Sequence, residues 1–171
     1  MALSRRETSW DRFEALYRAA RDDVYAYVST LLRDPMTAED VTALAFERAY
    51  RRRKLFDPRR GSERAWLFGI ARNAALDELR KRKRTATLAA EPADADAVPA
   101  EDAADAVVRR TTVRAALDAL APRERELIAL KFHAGLSNQE LAKVLGVSES
   151  NVGTMLHRTM EKLRKACHAA P

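Results

Sequence analysis

One cysteine, five glycines and six prolines in 171 residues leave little with which to build anything but helix. Cys167 has no partner in the chain, which excludes an intramolecular disulfide and any cysteine-based zinc site. His133, His157 and His168 lie far apart and lack ligand spacing, so neither a metal nor another cofactor is expected. No stretch approaches the length of a membrane span, and no apolar run follows basic residues at the start. The expectation is a soluble, cytoplasmic protein without membrane insertion. Nucleophile elbows, phosphate-cradling glycine loops and metal clusters are missing too, so no enzymatic role is expected.

What is present is 47% hydrophobic residues set in long stretches of Ala, Leu, Arg and Glu. That composition predicts an all-α protein. The formal charge is +6, and its distribution says more than its sum. Residues 1–84 carry 20 basic and 13 acidic side chains, residues 85–105 none and six, and residues 106–171 eleven and six. The middle segment, TATLAAEPADADAVPAEDAAD, has too little bulky apolar surface to order itself and reads as a flexible acidic linker. Two small helical domains, 1–84 and 106–171, are therefore expected on either side of it. Two basic bodies suit a polyanionic partner. Membrane-surface binding would use the same charge, but no helix pairs a basic face with an exposed aromatic one.

Ser9 to Leu32 reads as a first helix, with Trp10, Phe13, Ala20, Val24, Val28 and Leu31 at helical spacing, closed by Arg33-Asp34-Pro35. Thr37 is expected to cap a second, in which Val41, Leu44, Ala45 and Ala49 form the stripe and Phe46 and Tyr50 lie to the side. Arg51-Arg52-Arg53-Lys54 follow, either as a solvated helix end or as a contact for phosphates or an acidic protein. After a turn-rich loop, Ser62 is expected to cap a third helix through about Arg84. Its front half is apolar (Trp66, Leu67, Phe68, Ile70). Its rear half puts Arg72, Asn73, Asp77, Arg80 and Lys81 on exposed turns, ahead of the cations that end at Arg84. One more amphipathic helix, Val107 to Leu120, precedes Pro122.

The most informative stretch is Pro122 to Lys165. Gly135 ends one helix, Ser137 and Glu140 form the S-x-x-E capping box of the next, Gly146 breaks it, and Ser148 caps the last. Capped helix, tight turn, capped helix is the order of a helix-turn-helix whose second helix enters the major groove. Ser150, Asn151, Gly153, Thr154, His157 and Arg158 fall on its solvent face, where small polar side chains permit close approach to bases and phosphates. An ordinary helical hairpin is the plainer reading, but two caps and a glycine turn agree with each other.

The order of these parts resembles the extracytoplasmic-function (ECF) sigma factors, two-domain promoter-recognition subunits of bacterial RNA polymerase. TAEDVTALAFERAYR at 37–51 looks like the helix that docks on the polymerase β′ clamp. FDPRRGSERAWLFGIARNAALDELRKRKR at 56–84 is similar to the loop and helix that open and read the minus-ten element. ALDALAPRERELIALKFHAGLSNQELAKVLGVSESNVGTMLHRTMEKLR at 116–164 looks like the minus-thirty-five reading domain. The resemblance implies a factor that binds core polymerase through its β and β′ subunits, directs it to promoter DNA and helps melt it. It also implies an anti-sigma factor as a further partner.

By that resemblance, Asp40, Phe46 and Arg48 are core polymerase-binding positions. Arg72, Asn73, Asp77, Arg80 and Lys81 are minus-ten DNA-binding positions, Asn73 matching the contact to a flipped base. Arg123, Ser150, Asn151, Thr154, His157, Arg158 and Lys162 are minus-thirty-five DNA-binding positions. The chain departs from the family pattern at Ala43 and Leu44, where Gln and Glu are usual, and at Gly153 and Met155, where Lys and Arg are common. Weaker intrinsic affinity for the minus-thirty-five element is the consequence expected. A stand-alone helix-turn-helix regulator is the alternative, but it leaves 37–84 without a purpose. A protein-binding helical module whose cations meet acidic partners is a second.

Overall fold

A computed structural model describes residues 9–89 and 112–168. They form helices α1 (Ser9–Leu32), α2 (Pro35–Arg52) and α3 (Glu63–Ala89), then α4 (112–118), α5 (Pro122–Phe132), α6 (Asn138–Leu145) and α7 (Glu149–His168). Two short 3-10 turns, Arg53–Leu55 and Pro58–Arg60, link α2 to α3. No strand occurs among the described residues, as the composition predicts.

The apolar stripe of α1 turns inward as its period requires, with Ala20, Val24, Tyr27, Val28 and Leu32 buried. Tyr27 meets Phe68 of α3 edge-on at 5.6 Å between ring centres. Removing a ring so enclosed as Phe68 costs about 3–5 kcal/mol through lost burial and the cavity left behind. α1 stops where Arg33 takes a left-handed conformation, φ 54°, and its backbone N–H closes on the Ser29 carbonyl at 2.9 Å.

The second helix starts earlier than the sequence suggests. Asp34, extended at φ −140°, is its N-cap, and Pro35 occupies the first turn, where a missing N–H costs nothing. Thr37 donates both its hydroxyl (2.6 Å) and its backbone N–H (3.4 Å) to the Asp34 carboxylate, so it is the partner of the cap and not the cap. α3 begins as expected, Ser62 Oγ accepting from the Ala65 N–H at 3.1 Å, but runs on to Ala89. The first residues assigned to the linker, 85–89, are therefore helical; 90–105 lie outside the described residues.

The helical groups α1–α3 and α4–α7 pack directly on each other: α5 lies along α1, and α6 against α3. One cluster of buried side chains runs through both, joining Val24, Leu67 and Phe68 to Leu127, Leu130, Leu141 and Val152.

Candidate nucleic-acid interface

The helix-turn-helix is built as its residues dictate. Ser137 Oγ accepts from the Glu140 N–H at 3.2 Å, and the Glu140 carboxylate accepts from the Ser137 N–H at 3.0 Å. Two orphan amides at the start of α6 are thereby satisfied by the reciprocal pair. Gly146 ends α6 in the left-handed region, φ 69°, which an L side chain adopts only with strain. Val147 N–H closes on the Ala142 carbonyl at 3.0 Å, and Ser148 Oγ accepts from Asn151 N–H at 3.2 Å to start α7.

Val152 and Thr159 anchor α7 in the core, which turns its opposite face outward. Ser150, Asn151, Thr154, His157 and Arg158 all lie exposed there, together on one side as predicted. Thr154 donates to the Ser150 carbonyl at 3.1 Å, leaving its oxygen as an acceptor. Arg123 is exposed at the start of α5, close in sequence to Glu124, with which Lys162 of α7 forms an ion pair. That pair, first through its hydrogen bond, holds the Glu124 carboxyl below the usual range and partly neutralises Lys162. Arg125 is spent internally, donating to the Leu117, Asp118 and Leu120 carbonyls at the end of α4. Burial, then the nearby Arg33 charge, lowers its pKa.

On α3, Asn73, Asp77, Arg80 and Lys81 are exposed as predicted. Asp77 accepts from Arg80 at 3.2 Å and from Arg48 of α2 at 3.4 Å, so one carboxylate ties a residue expected to meet polymerase to one expected to meet the minus-ten element. Two expected sites are placed differently. Phe46 is only 5% exposed, its ring edge-on to Tyr17 at 4.8 Å and to Phe13 at 6.4 Å. It is a core residue that supports the outer face of α2, where Asp40 is exposed and Arg48 half-buried. Arg72 does not stand on an exposed turn: its side chain is 22% exposed and pairs with Glu126 of α5 at 2.7 Å.

Glu126 and Arg64 are the residues that sequence reasoning overlooked. The Glu126 side chain is 9% exposed and also accepts from the Tyr27 hydroxyl at 3.3 Å. Burial, then the Glu126 charge, pushes the Tyr27 pKa well up. The available signal was a carboxylate opening the unbroken apolar run Leu127-Ile128-Ala129-Leu130, a place where a charge needs a partner. Arg64 lies beside Asp23 and donates to the His133 carbonyl at 2.9 Å. Nothing local in its sequence sets it apart. A groove of about 840 Å³ opens between α1, α4, α5 and α7, with Leu117, Ile128, Phe132, Met160 and Leu163 among its lining.

Two family models match the chain, Sigma-70 region 2 over residues 16–85 and Sigma-70 region 4 over 110–163. The ECF RNA polymerase sigma factor SigX of Bacillus subtilis is 33% identical over 162 residues, covering 91% of this chain and 83% of SigX. The chain belongs to the ECF RNA polymerase sigma factor family. The ECF sigma factor BldN of Streptomyces coelicolor is 35% identical over 159 residues, and there the chain spans only 60% of its relative's length. The fold is shared with the sigma factor RpoE of Bartonella quintana, solved in complex with the anti-sigma factor NepR. The TM-score is 0.79 at 21% identity, over 94% of this chain and 99% of that one. Within the family frame, α2 and α3 are region 2 elements, and the helix-turn-helix is region 4. Among the described residues no helix is long and apolar enough to cross a membrane.

Proposed function

We propose that this ECF sigma factor binds core RNA polymerase through the β and β′ subunits, directs it to specific promoters and promotes DNA melting. Residues 1–84 would dock on polymerase and read the minus-ten element, 85–105 link, and 106–171 read the minus-thirty-five element. The observation that carries the reading is that one chain holds regions 2 and 4 and exposes a polar reading face on each, Asn73 to Lys81 and Ser150 to Arg158. The role is non-catalytic, a matter of binding and strand capture, and it places the protein in the cytoplasm with the polymerase.

Residue roles follow from exposure. Asp40 and Arg48 would meet polymerase, with Phe46 holding α2 from beneath. Asn73 would take the extruded minus-ten base while Arg80 and Lys81 hold the backbone. Arg158 is the principal phosphate contact of α7, with Ser150, Asn151, Thr154 and His157 toward base edges. An anti-sigma factor is proposed as a further partner, supported by the RpoE fold captured with NepR and by the apolar groove beside α5.

Run-off transcription with purified core polymerase and a promoter library tests the proposal. Defined start sites that depend on the added chain are expected. Failure to associate with core polymerase, or association without initiation on any template, would sink it. Tight specific gel shift by the chain alone would favour an independent regulator.

A further inference from the structure

Trp10 falls at helical spacing with the buried stripe of α1, yet it is 57% exposed. Its ring meets Tyr50 of α2 edge-on, with centres 5.6 Å apart and planes at 86°. Phe13 packs on the same Tyr50 ring at 5.2 Å, and the Arg53 guanidinium stands 3.9 Å from its centre. Arg53 is itself fixed, donating to the Tyr50 carbonyl at 2.7 Å. Tyr50 is thus enclosed by its neighbours, while the indole beside it is held in place and open.

That position is the mouth of the loop between α2 and α3. Arg53 opens the loop, and Arg12, one helical step past Trp10, pairs at 3.0 Å with Glu63 where α3 begins. Both ends of the loop therefore lie against the first turns of α1. Residues 51–60 carry six basic side chains and one acidic. The acid, Asp57, is taken up by Arg59 at 3.1 Å. Arg52 and Lys54 are exposed and have no ion-pair partner among the described residues.

An aromatic face beside unpaired cations is what holds single-stranded nucleic acid: the cations track phosphates, and a base of any identity stacks on the ring. A duplex cannot use such a face, because its paired bases offer only their edges. A lone exposed aromatic would call for no occupant. Here the cationic loop at its side supplies one. Trp10 also precedes residues 16–85, so it lies outside the part of the chain that the region 2 match covers.

We propose that Trp10 is a stacking site for one unpaired base of the displaced promoter strand, beside the minus-ten element. This rests on the sigma-factor reading above. The melted strand is then gripped on the α1 side of the loop as well as along α3, which slows its return to the duplex.

Holoenzyme made from the full chain and core polymerase tests this on a promoter pre-melted as a bubble, with 2-aminopurine at successive displaced-strand positions. Stacking quenches that base. Quenching at one position beside the minus-ten element is expected for the wild type and for Trp10→Tyr. It should be lost in Trp10→Leu, which keeps apolar bulk against Tyr50. Trp10→Leu should also shorten the open-complex lifetime by about fivefold or more, the low end for one stacked base. Core-polymerase affinity and the thermal midpoint should not move. Quenching that survives in Trp10→Leu at every position overturns the stacking site. So does core affinity that falls in step with lifetime, which would make Trp10 a polymerase contact. No holoenzyme from the wild type overturns the sigma-factor reading instead. Stacking is then decided on the free Trp66→Phe chain, where a single-stranded oligonucleotide quenches the remaining indole if Trp10 takes a base and leaves it bright if it does not.

Discussion

Arg82 and Asp34 meet at 2.7 Å, which takes one cation of the run Arg80 to Arg84 into an ion pair within the protein. The same guanidinium donates to the Leu32 carbonyl at 3.1 Å, so it ties the rear of α3 to the corner between α1 and α2. Asp34 is the cap of α2, and its carboxyl is held below the usual range chiefly by the Thr37 hydroxyl. Arg82→Ala is expected to lower the thermal unfolding midpoint by a few degrees. Lys83→Ala, on an exposed turn, should leave the midpoint alone and weaken promoter binding. Paired melting curves and promoter titrations check the split, and equal loss of stability in both would contradict it.

Asn73 stands exposed one residue beyond Arg72, which pairs with Glu126. Asn73→Ala should slow open-complex formation with core polymerase about fivefold, the factor for roughly 1 kcal/mol of lost hydrogen bonding. Polymerase binding itself should be unchanged. Permanganate footprinting of the melted strand beside a core-binding titration reads both, and unaltered melting removes Asn73 from base recognition.

Arg158 is exposed on α7 with no hydrogen-bond or ion-pair partner among the described residues, unlike Lys162, which Glu124 holds. Arg158→Ala should lower promoter affinity and flatten the plot of log affinity against log salt by about one unit of slope. Lys162→Ala should flatten it less, because its charge is already partly neutralised. A slope identical to wild type in the Arg158 variant would place it off the phosphate backbone.

Periodicity carried the helices: the buried face of α1, the apolar front of α3 and the whole helix-turn-helix were legible from spacing and caps. α2 starts three residues before the expected Thr37 cap because proline, which ends one helix, also begins the next. Phe46 lies off the main stripe, which predicts an outward side chain, yet α1 offers Phe13 and Tyr17 to enclose it. Arg72 with Glu126 illustrates what no local pattern can reveal. The partners stand 54 positions apart, and their meeting depends on how two groups of helices pack.

Glu140 connects that packing to pH. Its carboxyl lies below the ordinary range, mainly through the Ser62 hydroxyl and further through the Ser137 cap. A lowered folded-state pKa contributes stability that is present above the unfolded value and is lost as pH falls through the folded one. Glu140→Gln should therefore be less stable than wild type near pH 7, with the gap closing as pH drops below about 4. Urea titrations of both proteins across that range test the sign. A gap that widens in acid would reverse the assignment.

Gly153 sits inside α7, where a Cβ would meet nothing within 4 Å. Glycine in a helix interior costs roughly 0.5–1 kcal/mol against alanine, so Gly153→Ala should stabilise the protein by about that amount. Lys is the residue that the resemblance to ECF sigma factors implies at this position. Gly153→Lys should accordingly add a phosphate contact that this chain lacks, strengthening promoter binding and steepening the salt dependence by about one unit. The alanine variant separates the two effects, since it gains helix stability without gaining charge. Promoter affinity measured at several salt concentrations for all three proteins decides it: a lysine variant that binds no better than alanine would mean that Gly153 faces away from the DNA.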